Sequence, residues 1–429
     1  MSGWHPTHAH LRAVVAGFGL LVAGLVLGRV DAIVLATPLL LVALAGAQSR
    51  PSVVPVLEGP QGALAVHEGE DVVWSATISG LPAGGSVAAL HPGQRWLEVE
   101  PETGQVVAAD DGLATTSIGL RPTRWGWRTL GAPAVTGYDA WAAWRWVADR
   151  PQPLRLTVLP STEQPDTTAP APHPYGLVGQ ERAVRLGEGT ELAKVRPFEP
   201  GDRLRRIHWP TSARTGTLHV TATHADEDAH VVLLLDAVND VGSSGGLVGE
   251  RSSMDLAVRA AAVLAEHFLR RGDRVGLRVF GDWRVSFLPS SSGRHQLRRL
   301  LNVLSVVEPG TARGEDALAA RQGLGAGTLA ILLSPLVEPA STQQVAMLTS
   351  AGIEVIVVDT LPAELVTGDR GRSPEEQLAW RLRMLQRRLE RDRMASLGIP
   401  VVTWTGPHSI DKVLRDLARR SATPRLVRR

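Results

Sequence analysis

The chain has 429 residues, 44% of them hydrophobic and 21% charged, with 45 Lys+Arg against 43 Asp+Glu and no cysteine. At about 150 residues per domain that length calls for two or three domains, and the missing thiols exclude disulfides, thiolate metal sites, iron–sulfur ligation and a cysteine nucleophile. A net charge of +2 argues against a general polyanion binder, yet residues 370–429 alone carry 15 Lys/Arg and 6 Asp/Glu, so the rest of the chain is acidic. Lysine occurs only at Lys194 and Lys412, and the arginine excess therefore reads as base composition, not as selection for guanidinium chemistry.

Residues 1–50 hold two apolar runs, Ala13 to Gly28 and Ala32 to Ala47, separated by Arg29, Val30 and Asp31. Each run makes about 24 Å of helix, short of a hydrocarbon core of about 30 Å unless flanking residues such as Arg12 and Arg29 extend it by snorkelling. One continuous helix would place Arg29 and Asp31 at mid-membrane, which costs about 2.5–3.5 kcal/mol each, so a two-span hairpin is expected, with Pro38 tolerated inside the second span. A secretory signal ending near Ala45-Gly46-Ala47 is the competing reading, and a charged pair in its centre suits it poorly. Arg12 and Arg50 flank the pair on one side, which favours a cytoplasmic location for the remainder of the chain.

From residue 51 to 160 short alternating segments such as Asp71 to Ile78 and Leu154 to Leu159 are punctuated by Gly59-Pro60, Gly84-Gly85 and Pro92-Gly93, the pattern of a small antiparallel β-sandwich. Eight of the twelve tryptophans fall at or before Trp146; core and sheet-edge packing explains them better than an aromatic platform for a ligand. Residues 161–190 begin with a Pro- and Thr-rich stretch and read as a linker.

Residues 191–229 open with ELAKVRPFEPGDRLRRIHWPTSAR, from Glu191 to Arg214. Pro200-Gly201 suits a type II turn, Asp202 then falls where an N-cap belongs, and Arg203 to Ile207 read as about one helical turn stopped by Pro210. Asp202 and His208 could form an acid–base pair if both reached one substrate; the plainer reading has Asp202 capping the turn and pairing with Arg196 or Arg205 while Trp209 packs beneath. The run Arg196, Phe198, Gly201, Asp202, Arg205, Ile207, Trp209, Ala213 and Arg214 resembles the signature of the bacterial family called domain of unknown function 58. His208 departs from that pattern, where an acidic residue is usual, and Tyr138-Asp139-Ala140-Trp141 replaces the family's Asp-Pro-Phe-Gly.

Residues 230–429 alternate strands and helices: strands at His230 to Val238, Arg274 to Phe280, Val285 to Pro289, Thr328 to Leu333, Glu354 to Asp359 and Pro400 to Trp404; helices at Ser253 to Arg271, His295 to Val306, Thr342 to Ser350, Pro374 to Ser396 and Ile410 to Arg420. This predicts a doubly wound, mainly parallel α/β sheet with its functional edge at the carboxyl ends of the strands. Neither a dinucleotide fingerprint nor a phosphate-binding loop with its lysine is present. In the helix from Pro374 to Ser396, Leu378, Leu382, Leu385 and Leu389 form one stripe that is expected to pack on the sheet, leaving Arg381, Arg387, Arg388, Arg391 and Arg393 solvated.

The resemblance implies several further expectations. It implies two membrane spans, a β domain and a von Willebrand factor A-like α/β domain, and such a domain would place a divalent cation at the strand ends. The corresponding positions are Asp236, Asp240, Thr311 and Ser334, a degenerate set that leaves Mg²⁺ as an expectation only. The hairpin, the missing catalytic motifs and the dense signature lead to a non-enzymatic, membrane-anchored scaffold or assembly protein with the lipid bilayer as one partner; the resemblance implies that it acts with a MoxR-type AAA+ ATPase, and basic residues without interleaved aromatics argue against nucleic acid. The alternatives are a divalent-metal-dependent adhesion or ligand-binding module, and a hydrolase using Asp202 and His208.

Overall fold

The computed structural model describes residues 3–60, 62–149, 153–162, 186–199, 207–224, 230–282, 287–310, 324, 328–367, 373–406 and 409. The chain divides into two compact units, Met1–Leu159 with Gly246–Val248, and Pro160–Gly245 with Gly249–Arg429.

The first unit begins with strand β1 (Trp4–Pro6) and the helices α1 (His8–Leu27) and α2 (Val30–Gln48), both long and apolar enough to cross a membrane. The Thr7 side chain caps α1 by accepting from the His10 amide, and Gly28 ends it in the left-handed region at φ 61°. Small residues line the contact between the two helices. A Cβ added at Gly24 would lie 2.7 Å from Ile33 Cγ1, and one at Gly17 3.1 Å from Leu40, so the backbones approach as they do in small-residue helix pairs. Arg29 and Asp31 sit together at the turn, 3.9 Å apart and exposed.

The strands that follow are β2 (Val56–Glu58), β3 (Ala63–His67), β4 (Val72–Ser79), β5 (Ser86–Leu90), β6 (Leu97–Glu100), β7 (Gln105–Ala108), β8 (Leu113–Pro122), β9 (Gly126–Leu130), β10 (Ala134–Tyr138), β11 (Trp144–Val147) and β12 (Leu154–Leu159). They form sheets of order β1-β11-β10-β5-β7, β2-β4-β8-β6 and β3-β12-β9, antiparallel except for β3 with β12. Alternation along β4 and β8 buries Trp74, Ala76, Ile78, Ile118 and Leu120 in a shared core with Val87, Trp146 and Leu156. Trp74, Trp125 and Trp146 are buried, whereas Trp127 and Trp141 are exposed. Trp96 is enclosed by cations: the Arg95, Arg124 and Arg128 guanidiniums lie 4.1, 4.7 and 4.9 Å from its ring centre. Burial, aided by Arg124, pushes the Arg128 guanidinium down to about 10.

The expected boundary at residue 51 between helices and sandwich does not hold. Trp4, His5 and Pro6 pair with Trp146, Arg145 and Trp144, so three residues ahead of the hairpin are an edge strand of the sandwich.

In the second unit β13 (Leu186–Pro197) pairs with β14 (His219–His224), and α3 (Trp209–Thr215) lies between them in sequence. The sheet that follows has six strands: β15 (His230–Asp236), β16 (Arg274–Phe280), β17 (Phe287–Ser291), β18 (Thr328–Ser334), β19 (Glu354–Asp359) and β20 (Val401–Thr403), in the order β17-β16-β15-β18-β19-β20. All neighbours are parallel except β16 with the edge strand β17. Central strands that are buried on both faces read as unbroken apolar runs, and Val231 to Leu235 and Leu329 to Leu333 are such runs. The helices are α4 (Ser253–Arg270), α5 (Gly293–Leu304), α6 (Pro339–Ser350), α7 (Ala363–Thr367) and α8 (Pro374–Ser396). Capping boxes at Ser252 with Asp255 and at Ser373 with Glu376 start α4 and α8.

The expectation for α8 is reversed. Leu378, Leu382, Leu385 and Leu389 are 60%, 54%, 55% and 69% exposed, while Arg387 is 4% exposed. At about 100° per residue the leucines and the row Arg383, Arg387, Arg391 lie on opposite sides of the helix, and the arginine row turns inward because buried acceptors wait for it. Arg387 and Arg391 both pair with Asp359 at the end of β19, Arg391 at 2.8 Å. Arg387 Nε also donates to the Pro335 carbonyl at 2.8 Å, and Arg383 Nε to that of Val337. Trp380 and Met394 complete the inner face, Trp380 donating to the Leu365 carbonyl at 2.9 Å. Arg387 and Arg391 are thus structural ion-pair partners; Arg381, Arg388 and Arg393 are exposed as expected.

Candidate functional site

Two places hold the residues singled out by sequence. The first is the signature segment. Gly201, Asp202 and Arg205 lie outside the described residues. Arg196, on β13, donates to the Pro197 carbonyl and sits 3.6 Å from Glu199. Ile207 forms an antiparallel bridge with Val220.

Pro210 does not stop a helix here. It stands in the first turn of α3, where the N–H it lacks would have no partner and its fixed φ suits the helix. His208 is the N-cap: its Nδ1 accepts from the Thr211 amide at 3.3 Å, and its own amide donates to the His219 carbonyl at 2.8 Å. One ring nitrogen of the proposed acid–base residue is therefore occupied by the helix it starts. Trp209 is 66% exposed and is not packed beneath the segment. Arg214 is exposed in the last turn, where a cation suits the helix dipole.

The second place is the carboxyl edge of the six-stranded sheet. Asp236 ends β15 and is 3% exposed. Its Oδ2 accepts from the hydroxyls of Ser334 at 2.6 Å and Ser341 at 2.5 Å, and its Oδ1 from the Val238 amide at 3.1 Å. Ser334 Oγ also accepts from the Leu336 amide at 2.9 Å, so it positions the loop between β18 and α6. Burial holds the Asp236 carboxyl above its ordinary range, with Glu338 adding to the effect, while the three hydrogen bonds pull in the other direction. Glu338 itself accepts from Asn239 Nδ2 at 2.9 Å. A shallow pocket of about 450 Å³ opens beside this loop, lined by Val337, Glu338, Glu376, Ala379, Trp380 and Arg383.

Of the four residues anticipated for a cation, the structure brings Asp236 and Ser334 together. Asp240 is committed elsewhere, its Oδ1 accepting from the Met254 amide at 3.0 Å and the Ser253 hydroxyl at 3.4 Å at the start of α4. Thr311 lies outside the described residues. Among the described residues no group of three or more His, Asp or Glu is placed to share a metal. This donor set fits Mg²⁺ poorly: the carboxylate already receives three hydrogen bonds, and its burial favours the proton over the anion that a hard cation requires.

Sequence reasoning missed Ser341, and it missed the pairing of Asp359 with Arg387 and Arg391. The spacing of four between Arg383, Arg387 and Arg391 was the available signal, since it places three cations on one helix face. No comparable signal marked Ser341.

A doubly wound α/β sheet with a helix-capped carboxyl edge, preceded by a β-hairpin-like pair and a short proline-started helix, is the class of structure that this second unit defines. Residues 194–389 match the family described as "Protein of unknown function DUF58". Uncharacterized proteins from Mycobacterium tuberculosis and Mycobacterium bovis are similar, each 26% identical over 201 residues that make up 46% of this chain and 62% of theirs. The chain thus spans less than two thirds of the length of these relatives. A non-cellulosomal cohesin from the hyperthermophilic archaeon Archaeoglobus fulgidus aligns over 24% of this chain and 91% of its own at 15% identity, with a TM-score of 0.18 that supports no argument.

Proposed function

We propose that the chain is a non-enzymatic, membrane-anchored scaffold or assembly protein whose soluble units face the cytoplasm and which acts with a MoxR-type AAA+ ATPase in maturing other complexes. The observation that carries the anchoring is how the helix pair is built into the sandwich. The Thr7 amide donates to the Ala143 carbonyl at 2.8 Å and its hydroxyl to that of Ala142 at 2.8 Å. Ser49, just past α2, donates to Asp139 Oδ2 at 2.7 Å, and the Trp144 indole donates to the Gly46 carbonyl at 2.7 Å. Arg50 lies 5.1 Å from the Trp144 ring centre. A leader made for removal has no reason to supply an edge strand and a buried carboxylate's partner to the domain it leaves.

The α/β unit is read as von Willebrand factor A-like because its strand order, with the antiparallel strand at one edge, suits that fold. The ATPase partnership rests on the family resemblance, and the non-enzymatic reading on a sheet edge whose carboxylates are satisfied by the protein's own donors. Reporter fusions after residue 429 test the orientation: a reporter that is active only outside the cytoplasm should be silent. Purification of the full chain from membranes, alongside Trp209→Ala and Arg214→Glu variants, tests the partnership. Recovery of an AAA+ protein with the parent and its loss with the variants is expected; recovery of none would sink it.

A further inference from the structure

We propose that the outward face of α8 is a docking seam for an amphipathic helix of a partner protein, one with leucine-type residues at alternating spacings of three and four and acidic residues on its flanks. Leu378, Leu382, Leu385 and Leu389 follow one another at intervals of four, three and four and are each more than half exposed. That 3.5-residue period is the period of a helix–helix seam. The inner face of α8 is fixed by the contacts of Arg383, Arg387 and Arg391, so the helix cannot roll to bury its leucines in its own domain.

Charge and width select the occupant. Between Glu376 and Glu390 the helix has no acidic residue, and along the leucines the seam is flanked by exposed Arg381, Arg388 and Arg393 together with Gln386, with exposed Glu375 and Asp392 at its two ends. A second copy laid antiparallel over the leucines would set Arg381 against Arg388 and, at the ends, Asp392 against Glu375, and laid parallel would set Arg381 against Gln386 and Arg388 against Arg393; neither brings a carboxylate to the arginines that flank the leucines. These four leucines span about 60° at 100° per residue, the narrow stripe of a helix–helix seam and not the face of about 100° or more with which a helix covers a broad apolar surface. An acidic partner helix meets both the narrow seam and the cationic rim. The seam is independent of the ATPase reading and stands or falls without it.

The test uses the full chain in nanodiscs and two fluorescent synthetic peptides of about three heptads, each with Leu at the two seam positions, one with Glu and the other with Lys at the flanking positions. The Glu peptide should bind at least about tenfold more tightly, about 1.4 kcal/mol. Leu382→Lys with Leu385→Lys should abolish its binding with the thermal midpoint of the protein unchanged, and Arg388→Glu should narrow or invert the preference. The proposal is overturned by equal or absent binding of the two peptides, or by binding that survives the double lysine variant. Leucine-dependent binding to phosphatidylglycerol vesicles without peptide binding would assign the face to lipid. Leucine-dependent dimerisation in light scattering would assign it to a second copy.

Discussion

The strands β15 and β19 flank β18, and each ends in a buried aspartate that meets donors of a different kind. Asp236 is met by two serine hydroxyls and one amide, all neutral. Asp359, whose register partner is Ser334 at the end of β18, is met by the guanidiniums of Arg387 and Arg391 and by the Leu361 amide at 3.1 Å. A carboxylate with neutral donors holds a loop and can take up a proton. A carboxylate with two guanidiniums ties a 23-residue helix to the sheet, and removing it strands cations.

The largest effect should therefore follow Asp359→Ala. It leaves the nearly inaccessible Arg387 and the half-buried Arg391 without their anion, and breaking a buried pair costs about 3–5 kcal/mol. In thermal unfolding of the full chain in detergent, the transition of the α/β unit should fall by many degrees. A drop no larger than that of a surface substitution would erase the contrast between the two carboxylates.

Asp139 in the first unit tests the class with neutral donors. It accepts from Ser49 Oγ at 2.7 Å, from the Trp144 amide at 2.7 Å and from the Trp141 amide at 3.3 Å. Asp139→Ala leaves these donors unpaired, at about 1–3 kcal/mol for a buried group. Limited proteolysis should then cleave near Arg50 sooner than in the parent. Unchanged cleavage would mean that the helix pair does not depend on this aspartate.

Asp236 adds pH dependence with a defined sign. Its folded-state pKa lies above the unfolded value of about 3.9, so the folded form binds more protons and the group's contribution to stability falls as pH rises from about 4 through the folded pKa. Asp236→Asn removes this titration. The stability difference between the parent and Asp236→Asn should favour the parent more at acid pH than at pH 8, in urea titrations at several pH values. A difference independent of pH would show that burial does not shift Asp236.

The sheet was legible because central strands must be apolar on both faces. The expected Arg274 to Phe280 and Glu354 to Asp359 coincide with β16 and β19, and the expected Pro374 to Ser396 with α8. β1 was not legible: it has three residues, and the strand it pairs with lies about 140 residues later in sequence. At the candidate site, the cation-ligand pattern implied by the resemblance pointed to Asp236 and Ser334. Ser341 lies in the first turn of α6, where an isolated serine has no pattern. The start of α3 was misread because proline was given its role as a breaker and not its role in the first helical turn.

The face of α8 was misread for a related reason, and it supplies the smallest predicted effect. Periodicity locates an apolar stripe on a helix but does not say what covers it, and here the opposing row of arginines took the interior, where Asp359 and the carbonyls of Pro335, Leu336 and Val337 accept from it. Leu385→Ala should therefore change stability by no more than about 0.5 kcal/mol, whereas a leucine packed on the sheet would lose about 2–5 kcal/mol. Met394→Ala, on the inner face and 3% exposed, supplies the contrast within one helix and should fall in that larger range. If urea titration of the two variants gave equal losses, α8 would bury both faces in the molecule as it exists in solution, and the leucine seam would already have an occupant within the chain.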